Sequence, residues 1–254
     1  MSLAAFSIGI VFMGLVCTFV GGTALGLVLF LRRRWSRLDL TMRSYTWFWW
    51  FTSLVWLFSG LRYLLAGLGV TGSEINHLDV VVQAAVFFTG PPLFYYATMK
   101  VTNREDLARA TTFASFLLGV AAVWFVLQPH GVPVRDVTFF SAEATVNLRS
   151  FSIFSFEAAI ILFLLLYDIV NHLMTWRRTK NQGEFYSALF SVSVGIYLLL
   201  GTIDESKVIT DWPLVVFRLL YSGAFLFVYL VIVQAEAVQE KYLFSETDGL
   251  PTYD

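Results

Sequence analysis

The chain has 254 residues, of which 57% are hydrophobic and 14% are charged, and its net charge is −1. Soluble domains carry about 25% charged residues, so this chain has more apolar surface than a soluble core can bury. The near-zero net charge points to no class of partner, and we expect no binding to nucleic acid.

Seven apolar runs have about the length that a helix needs to cross a bilayer, which is roughly 20 residues. They cover residues 6–31, 45–70, 78–99, 111–128, 151–176, 185–203 and 213–235. No basic residue precedes the first run, and it is too long for the apolar region of a secretory signal, so we interpret it as a retained helix. The sequence predicts an all-α polytopic membrane protein, with one domain of seven transmembrane helices (1–254) and an outer loop at 129–150.

The distribution of the 17 Lys and Arg residues predicts the orientation. Twelve follow the first, third, fifth and seventh runs, whereas the opposite connections hold only Arg135, Arg149 and Lys207. By the positive-inside rule, the N-terminus lies outside and the C-terminus lies in the cytoplasm, in a multi-pass protein of the cell membrane. The two remaining cations, Arg62 and Arg218, lie within helices.

Two local features concern helix packing. The spacing Gly22-x-x-x-Gly26 in the first run allows close approach of another backbone, either within the bundle or in a homo-oligomer. Pro91 and Pro92 remove two amide donors in the middle of the third run, which predicts a kink there.

The tryptophans concentrate near the ends of the runs, which is typical of anchoring at the membrane interface. Those near the predicted cytoplasmic interface are Trp35, Trp47, Trp49, Trp50 and Trp176, and Trp212 lies at the outer one. The predicted outer loop, 129–150, alternates β-branched and aromatic residues in a way that suits a short hairpin, although an irregular loop is an equal alternative.

Polar residues at bilayer depth are costly and are candidate functional residues. Arg62, Gln83, Glu157 and Arg218 lie with Asp79 in the predicted outer half, and Tyr221 shares a helix face with Arg218. The candidates for ligand binding are Arg62, Gln83, Glu157, Arg218 and Tyr221. One interpretation is an outward-facing pocket in which two arginines meet one buried carboxylate and leave positive charge for an anionic or hydrogen-bonding ligand. The other is that the arginines pair with Glu157 and Asp79, or extend to the headgroups, and only hold helices together.

The fifth run carries Glu157 and, nearer the cytoplasm, Asp168, which could serve as stations of a proton or ion relay. Asp168 and His172 have the i, i+4 spacing of two metal ligands, but no third ligand stands out, so we expect no metal site. His77 and His130 lie outside the membrane core, which argues against haem. The sequence contains no catalytic motif, and we expect no enzyme.

Two stretches resemble microbial rhodopsins, as does the seven-helix layout. "VFFTGPPL" resembles the Trp-Leu-(Phe/Leu)-Thr-Thr-Pro-Leu segment of that family, with Thr89 and Pro91 matching. "IYLLLGTIDESKVITDWPLVVFRLLYSGAF" resembles the passage between its last two helices, with Gly201 and Ala224 at like positions.

The departures from that family concern its chromophore. The retinal-bearing lysine corresponds to Phe225 and its partner aspartate to Tyr221, while the counterion and proton-donor positions correspond to Ala85 and Tyr96. The resemblance therefore implies that no retinal is bound covalently. A lipid or a non-covalent pigment stays open as a bound group.

These observations predict a receptor, sensor or accessory protein that detects something at its outer face and engages a membrane or cytoplasmic protein. The alternatives are an ion, proton or small-solute pathway, and a structural subunit of a larger membrane complex.

Overall fold

The computed structural model describes residues 7–70, 73–128, 135–140, 142–144 and 147–247. Within these ranges the chain forms eight α-helices and one two-stranded sheet. The helices are α1 (Ile8–Arg32), α2 (Leu40–Gly67), α3 (Ser73–Phe87), α4 (Gly90–Thr102), α5 (Glu105–Leu127), α6 (Leu148–Thr179), α7 (Gln182–Glu205) and α8 (Asp211–Thr247). The strands are β1 (Arg135–Val137) and β2 (Ala142–Ala144).

Several helices begin before the apolar runs from which they were predicted, because polar residues cap them. The second helix begins at Leu40 rather than 45, since the carboxylate of Asp39 accepts a hydrogen bond from the amide of Met42 at 2.7 Å. The sixth begins at Leu148 rather than 151, where Asn147 caps the first turn. Apolar runs mark the part of a helix inside lipid, and the helices continue beyond it.

Six helical segments are long and apolar enough to cross a membrane: Ile8–Arg32, Ile75–Thr102, Glu105–Leu127, Leu148–Thr179, Gln182–Glu205 and Asp211–Ala235. Large apolar side chains on them face outward, as Phe113 and Phe163 do with exposed fractions of 62% and 70%. The chain is thus a helical, multi-pass membrane protein whose apolar helices suit contact with lipid. The predicted second span, now α2, is not among the six, because its tryptophans, tyrosines, hydroxyl residues and two arginines lower its mean hydropathy.

The third predicted span consists of two helices, α3 and α4, that meet at Phe88 and Thr89. Pro91 and Pro92 occupy the start of α4 and have no amide hydrogen to donate to the preceding turn. The hydroxyl of Thr89 donates to the carbonyl of Val86 at 2.6 Å, which satisfies one backbone acceptor at this break. The predicted kink is therefore present.

Consecutive helices pack against one another except α3 and α4, which follow end to end and both pack against α2 and α5, and α8 returns to α1. We call the end of the bundle at which α1, α4 and α6 finish the basic end, because most of the lysines and arginines lie there. The opposite end carries the β1–β2 sheet, and we call it the hairpin end.

The centre of the bundle is filled by aromatic side chains. Phe225, at the position that the rhodopsin resemblance assigns to the retinal lysine, is 2% exposed and packs against Trp49 and Tyr197 with ring centroids 5.4 and 5.9 Å away. Tyr221 packs against Trp56 at 4.5 Å. Ala85 and Tyr96 are buried as well. Each such aromatic pair stabilises a core by about 0.5–1.5 kcal/mol beyond its buried area.

The predicted outer loop contains the hairpin that was one of its two interpretations. β1 and β2 pair antiparallel, and the turn between them reaches two helices. The hydroxyl of Ser7, before α1, donates to the carbonyl of Phe139 at 3.3 Å, and the amide of Phe140 donates to Asp211, at the start of α8, at 3.2 Å. The hairpin is thereby fixed over the ends of the first and last helices.

The glycines of α1 serve different purposes. A Cβ added at Gly22 or Gly26 would meet no atom within 4 Å, so this pair does not mediate packing inside the bundle. Gly60 of α2, in contrast, lies so close to α1 that an added Cβ would come within 2.8 Å of the backbone nitrogen of Thr18. The close approach of α1 and α2 therefore depends on Gly60, together with Gly14 and Gly21 of α1, and not on the Gly22-x-x-x-Gly26 spacing.

Candidate functional site

Arg62 forms a buried ion pair near the hairpin end. It lies five residues before the end of α2, and its Nη1 is 2.6 Å from Oδ1 of Asp79 in α3. The two side chains are only 9% and 6% exposed. This is the pairing that the structural interpretation of the sequence predicts for Arg62.

Arg218 pairs with a residue that sequence reasoning did not identify. Its Nη2 lies 3.2 Å from Oδ1 of Asp204, near the end of α7, and its Nη1 donates to Sγ of Cys17 in α1 at 3.5 Å. The apolar run predicted a helix ending at 203, which left Asp204 in a connection. Because α7 continues to Glu205, Asp204 lies on the helix and faces Arg218.

Aromatic rings join the two ion pairs into one group, which we call the arginine network (Arg62, Asp79, Arg218, Asp204 and Tyr63). The guanidinium carbons of Arg62 and Arg218 lie 4.4 and 5.1 Å from the ring centroid of Tyr63. Both distances suit cation–π attraction. Each arginine has its own carboxylate, so the uncompensated positive charge expected of an anion pocket is not found in this network.

The remaining predicted ligand-binding residues divide between two places. Tyr221 lies on the same helix as Arg218 and packs on Trp56, whose ring is also 5.8 Å from the Arg218 guanidinium. Gln83 is half-buried, and within the described residues it forms no hydrogen bond to the network. Glu157 was predicted to meet both arginines, but the carboxylates that contact them in the structure are those of Asp79 and Asp204.

Glu157 lies instead beside the break between α3 and α4. Its side chain is 4% exposed, and its carboxylate lies against Gly90, where an added Cβ would come within 3.2 Å of Oε2 and 2.8 Å of Oγ of Ser115. Its Oε1 has no hydrogen-bond partner among the described residues. A buried carboxyl group therefore faces a helix break in which two amide donors are missing.

A second polar group lies at the basic end, and we call it the histidine chain (Glu184, His172, Asp168 and Ser191). Nδ1 of His172 is 2.5 Å from Oε2 of Glu184, and its Nε2 is 3.2 Å from Oδ1 of Asp168. The hydroxyl of Ser191 donates to Oδ2 of Asp168 at 2.6 Å. Asp168 and His172 come from α6, and Glu184 and Ser191 from α7.

The histidine chain connects the surface with the interior. The side chains of Glu184 and His172 are 28% and 24% exposed, whereas that of Asp168 is 2% exposed. The i, i+4 spacing predicted that Asp168 and His172 share a face. Glu184 and Ser191 were missed because their contacts with α6 depend on the antiparallel register of α6 and α7. For Glu184 a signal was present: it lies in the first turn of α7, after a short connection that returns the chain alongside the end of α6.

The two groups can be compared with a metal centre by the placement of their side chains. Among the residues that the structure describes, no three His, Cys, Asp or Glu side chains are placed to hold a metal ion. The histidine chain can hold and exchange protons, because its imidazole is bounded on both sides by carboxylates.

Comparison with known proteins adds no relative: no protein-family model, curated protein or solved structure matches the chain. The resemblance to microbial rhodopsins stays a prediction from the sequence, and the function must be argued from the residues themselves.

Proposed function

We propose that this protein is a membrane sensor that responds to protons through the histidine chain. The observation that carries the proposal is the position of His172 between two carboxylates, one on each of two helices, at 2.5 and 3.2 Å. Glu184 is partly exposed, so protons can reach it from water. Asp168 is buried, so a change in its contact with His172 is felt in the core.

The protonation state of His172 controls how α6 and α7 are joined. A protonated imidazole has two N–H donors and a positive charge, so it serves both carboxylates at once. A neutral imidazole has one donor, and its other nitrogen then opposes a carboxylate that can only accept. When the imidazole loses its second proton, one of the two contacts is lost and the junction of α6 and α7 weakens.

The titratable groups around His172 define the extent of the response. Asp168 and Glu184 contact it directly. The phenol of Tyr45 in α2 forms a hydrogen bond with Ser193 of α7 at 3.3 Å, and its ring lies 5.1 Å from that of Tyr96 in α4. A change at His172 therefore reaches α6 and α7 first, and α2 and α4 through these tyrosines.

The arginine network gives less support to an outer ligand site, because its charges are already balanced. In this proposal the basic end lies on the cytoplasmic side of the cell membrane, as the distribution of cations predicts. A membrane or cytoplasmic protein then reads the change in the α6–α7 junction at that end.

The test uses Trp176, a natural reporter of the junction, whose ring lies 5.0 Å from that of Phe185 in α7. The eight tryptophans are replaced biosynthetically by 5-fluorotryptophan, and the Trp176 fluorine resonance is assigned with Trp176→Phe. Between pH 5 and 8 this resonance should shift in the wild type and stay fixed in His172→Gln. Trp212, 60% exposed at the hairpin end, is the internal control. An unchanged Trp176 resonance in the wild type refutes the proposal.

A proton pathway is the second candidate, and the position of Glu157 favours it. Glu157 lies on the same helix as Asp168, and its carboxyl group faces the α3–α4 break. A pathway predicts that a pH gradient across liposomes containing the protein collapses, and that Glu157→Gln and Asp168→Asn prevent the collapse. A sensor predicts that the gradient persists in all three proteins.

A further inference from the structure

A groove between α1 and α2 at the basic end has no part in the proton response. Its volume is about 460 Å³, within the range of about 300–1,000 Å³ for sites that hold small molecules. Its walls are Val28, Arg32, Trp35, Thr46, Trp47 and Trp50. Three of these six residues are tryptophans, the side chain that prefers the level of lipid headgroups.

The surroundings of the groove are positively charged. The segment from Arg32 to Arg43 contains five arginines and one acid, Asp39, whose carboxylate caps α2 by accepting from Met42. The guanidinium of Arg43 lies 5.4 Å from the Trp35 ring, and its Nε has no hydrogen-bond acceptor among the described residues. Within the described part of the chain, neither Arg32 nor Arg43 pairs with a carboxylate, so both can serve an anion.

A row of aromatic rings, which we call the apolar track, leads from the groove along the outer surface of the helices toward mid-membrane depth. Successive ring centroids lie 6.4 Å apart from Trp35 to Trp47, 6.3 Å to Phe51, 6.4 Å to Phe88 and 5.8 Å to Phe116. Trp47 and Phe116 are 49% and 44% exposed, so the track is open to the outside of the helices.

We propose that this groove binds an anionic phospholipid. Its phosphate accepts hydrogen bonds from the guanidinium groups of Arg32 and Arg43, which match phosphate oxygens in geometry and charge. The glycerol region lies among the tryptophans, and one acyl chain follows the track from Trp47 to Phe88. The headgroup is anionic rather than zwitterionic because the five arginines of this segment outnumber its one acid, Asp39, and leave net positive charge.

The test is native mass spectrometry of the protein from micelles that contain equal amounts of phosphatidylglycerol and phosphatidylcholine with identical acyl chains. The wild type should retain phosphatidylglycerol preferentially, and the double variant Arg32→Gln/Arg43→Gln should lose about fivefold in preference for each arginine. Arg104→Gln removes a 66%-exposed arginine from the same end and should leave the preference unchanged.

Two further arms separate the alternatives. Trp47→Ala changes an exposed side chain and should weaken retention of phosphatidylglycerol. This variant tests the proposal independently if the double arginine variant does not fold. Inorganic phosphate at millimolar concentration should not displace the lipid, since the acyl chain contributes to binding. The proposal is overturned if the wild type retains both lipids equally, if Arg104→Gln loses as much preference for phosphatidylglycerol as the double variant does, or if phosphate displaces the lipid.

Discussion

Neutralising Asp79 should destabilise the protein far more than neutralising an exposed acid in an ion pair of the same length. Asp79→Asn leaves the guanidinium of Arg62 at a site where the two side chains are 9% and 6% exposed. Removing one partner of a buried pair costs about 3–5 kcal/mol, mostly because the other charge remains without compensation. The matched control is Glu105→Gln, which breaks a pair with Arg109 that is also 2.6 Å long but 49% and 72% exposed.

The free energy of unfolding is measured at pH 7 by titration with SDS in mixed micelles, with helical circular dichroism as the signal. Glu105→Gln should lose about 0.3–0.5 kcal/mol, the usual value for an i, i+4 pair on a helix surface. The double variant Arg62→Met/Asp79→Leu should recover most of the loss, because it removes both charges. Equal losses in Asp79→Asn and Glu105→Gln would refute the argument from burial.

Three further predictions use the same measurement of unfolding free energy. Gly60→Ala should cost about 1–3 kcal/mol, since its Cβ would come within 2.8 Å of α1 backbone, whereas Gly22→Ala, with no atom within 4 Å, should be neutral or stabilising by up to about 1 kcal/mol. Ser191→Ala should cost about 1–3 kcal/mol, because it leaves the buried carboxylate of Asp168 without its hydroxyl donor. Trp49→Ala should cost about 3–5 kcal/mol through the cavity left in the aromatic core, and a loss below 1 kcal/mol would contradict that packing.

Features that depend on neighbouring residues could be predicted from the sequence. Long apolar runs located the membrane helices, since crossing a bilayer requires about 20 apolar residues whatever the fold. Pro91 and Pro92 predicted the break of the third span, because a missing amide disrupts a helix in any context. The pairing of Arg62 with Asp79 was among the predicted alternatives, because the adjacent second and third runs place both residues in the predicted outer half.

Features that depend on how distant helices face one another could not be predicted in this way. Glu157 was expected beside the arginines on grounds of depth alone, but depth does not specify which side of a helix meets which neighbour. Asp204 was missed because an apolar pattern ends before the helix does. The same limitation applies to Glu184 and Ser191, which join Asp168 only through the register of α6 against α7.

The break between α3 and α4 divides the third span into two helices that contact different parts of the bundle. α3 is joined to α2 through Asp79 and Arg62, whereas α4 begins against Glu157 of α6 and packs against α5 and α2 as well. We expect the two residues between these helices, Phe88 and Thr89, to let α4 move with α6 without displacing the ion pair of α3. A straight helix would transmit the same movement along its whole length, and each rearrangement at the basic end would strain the buried charges at the hairpin end.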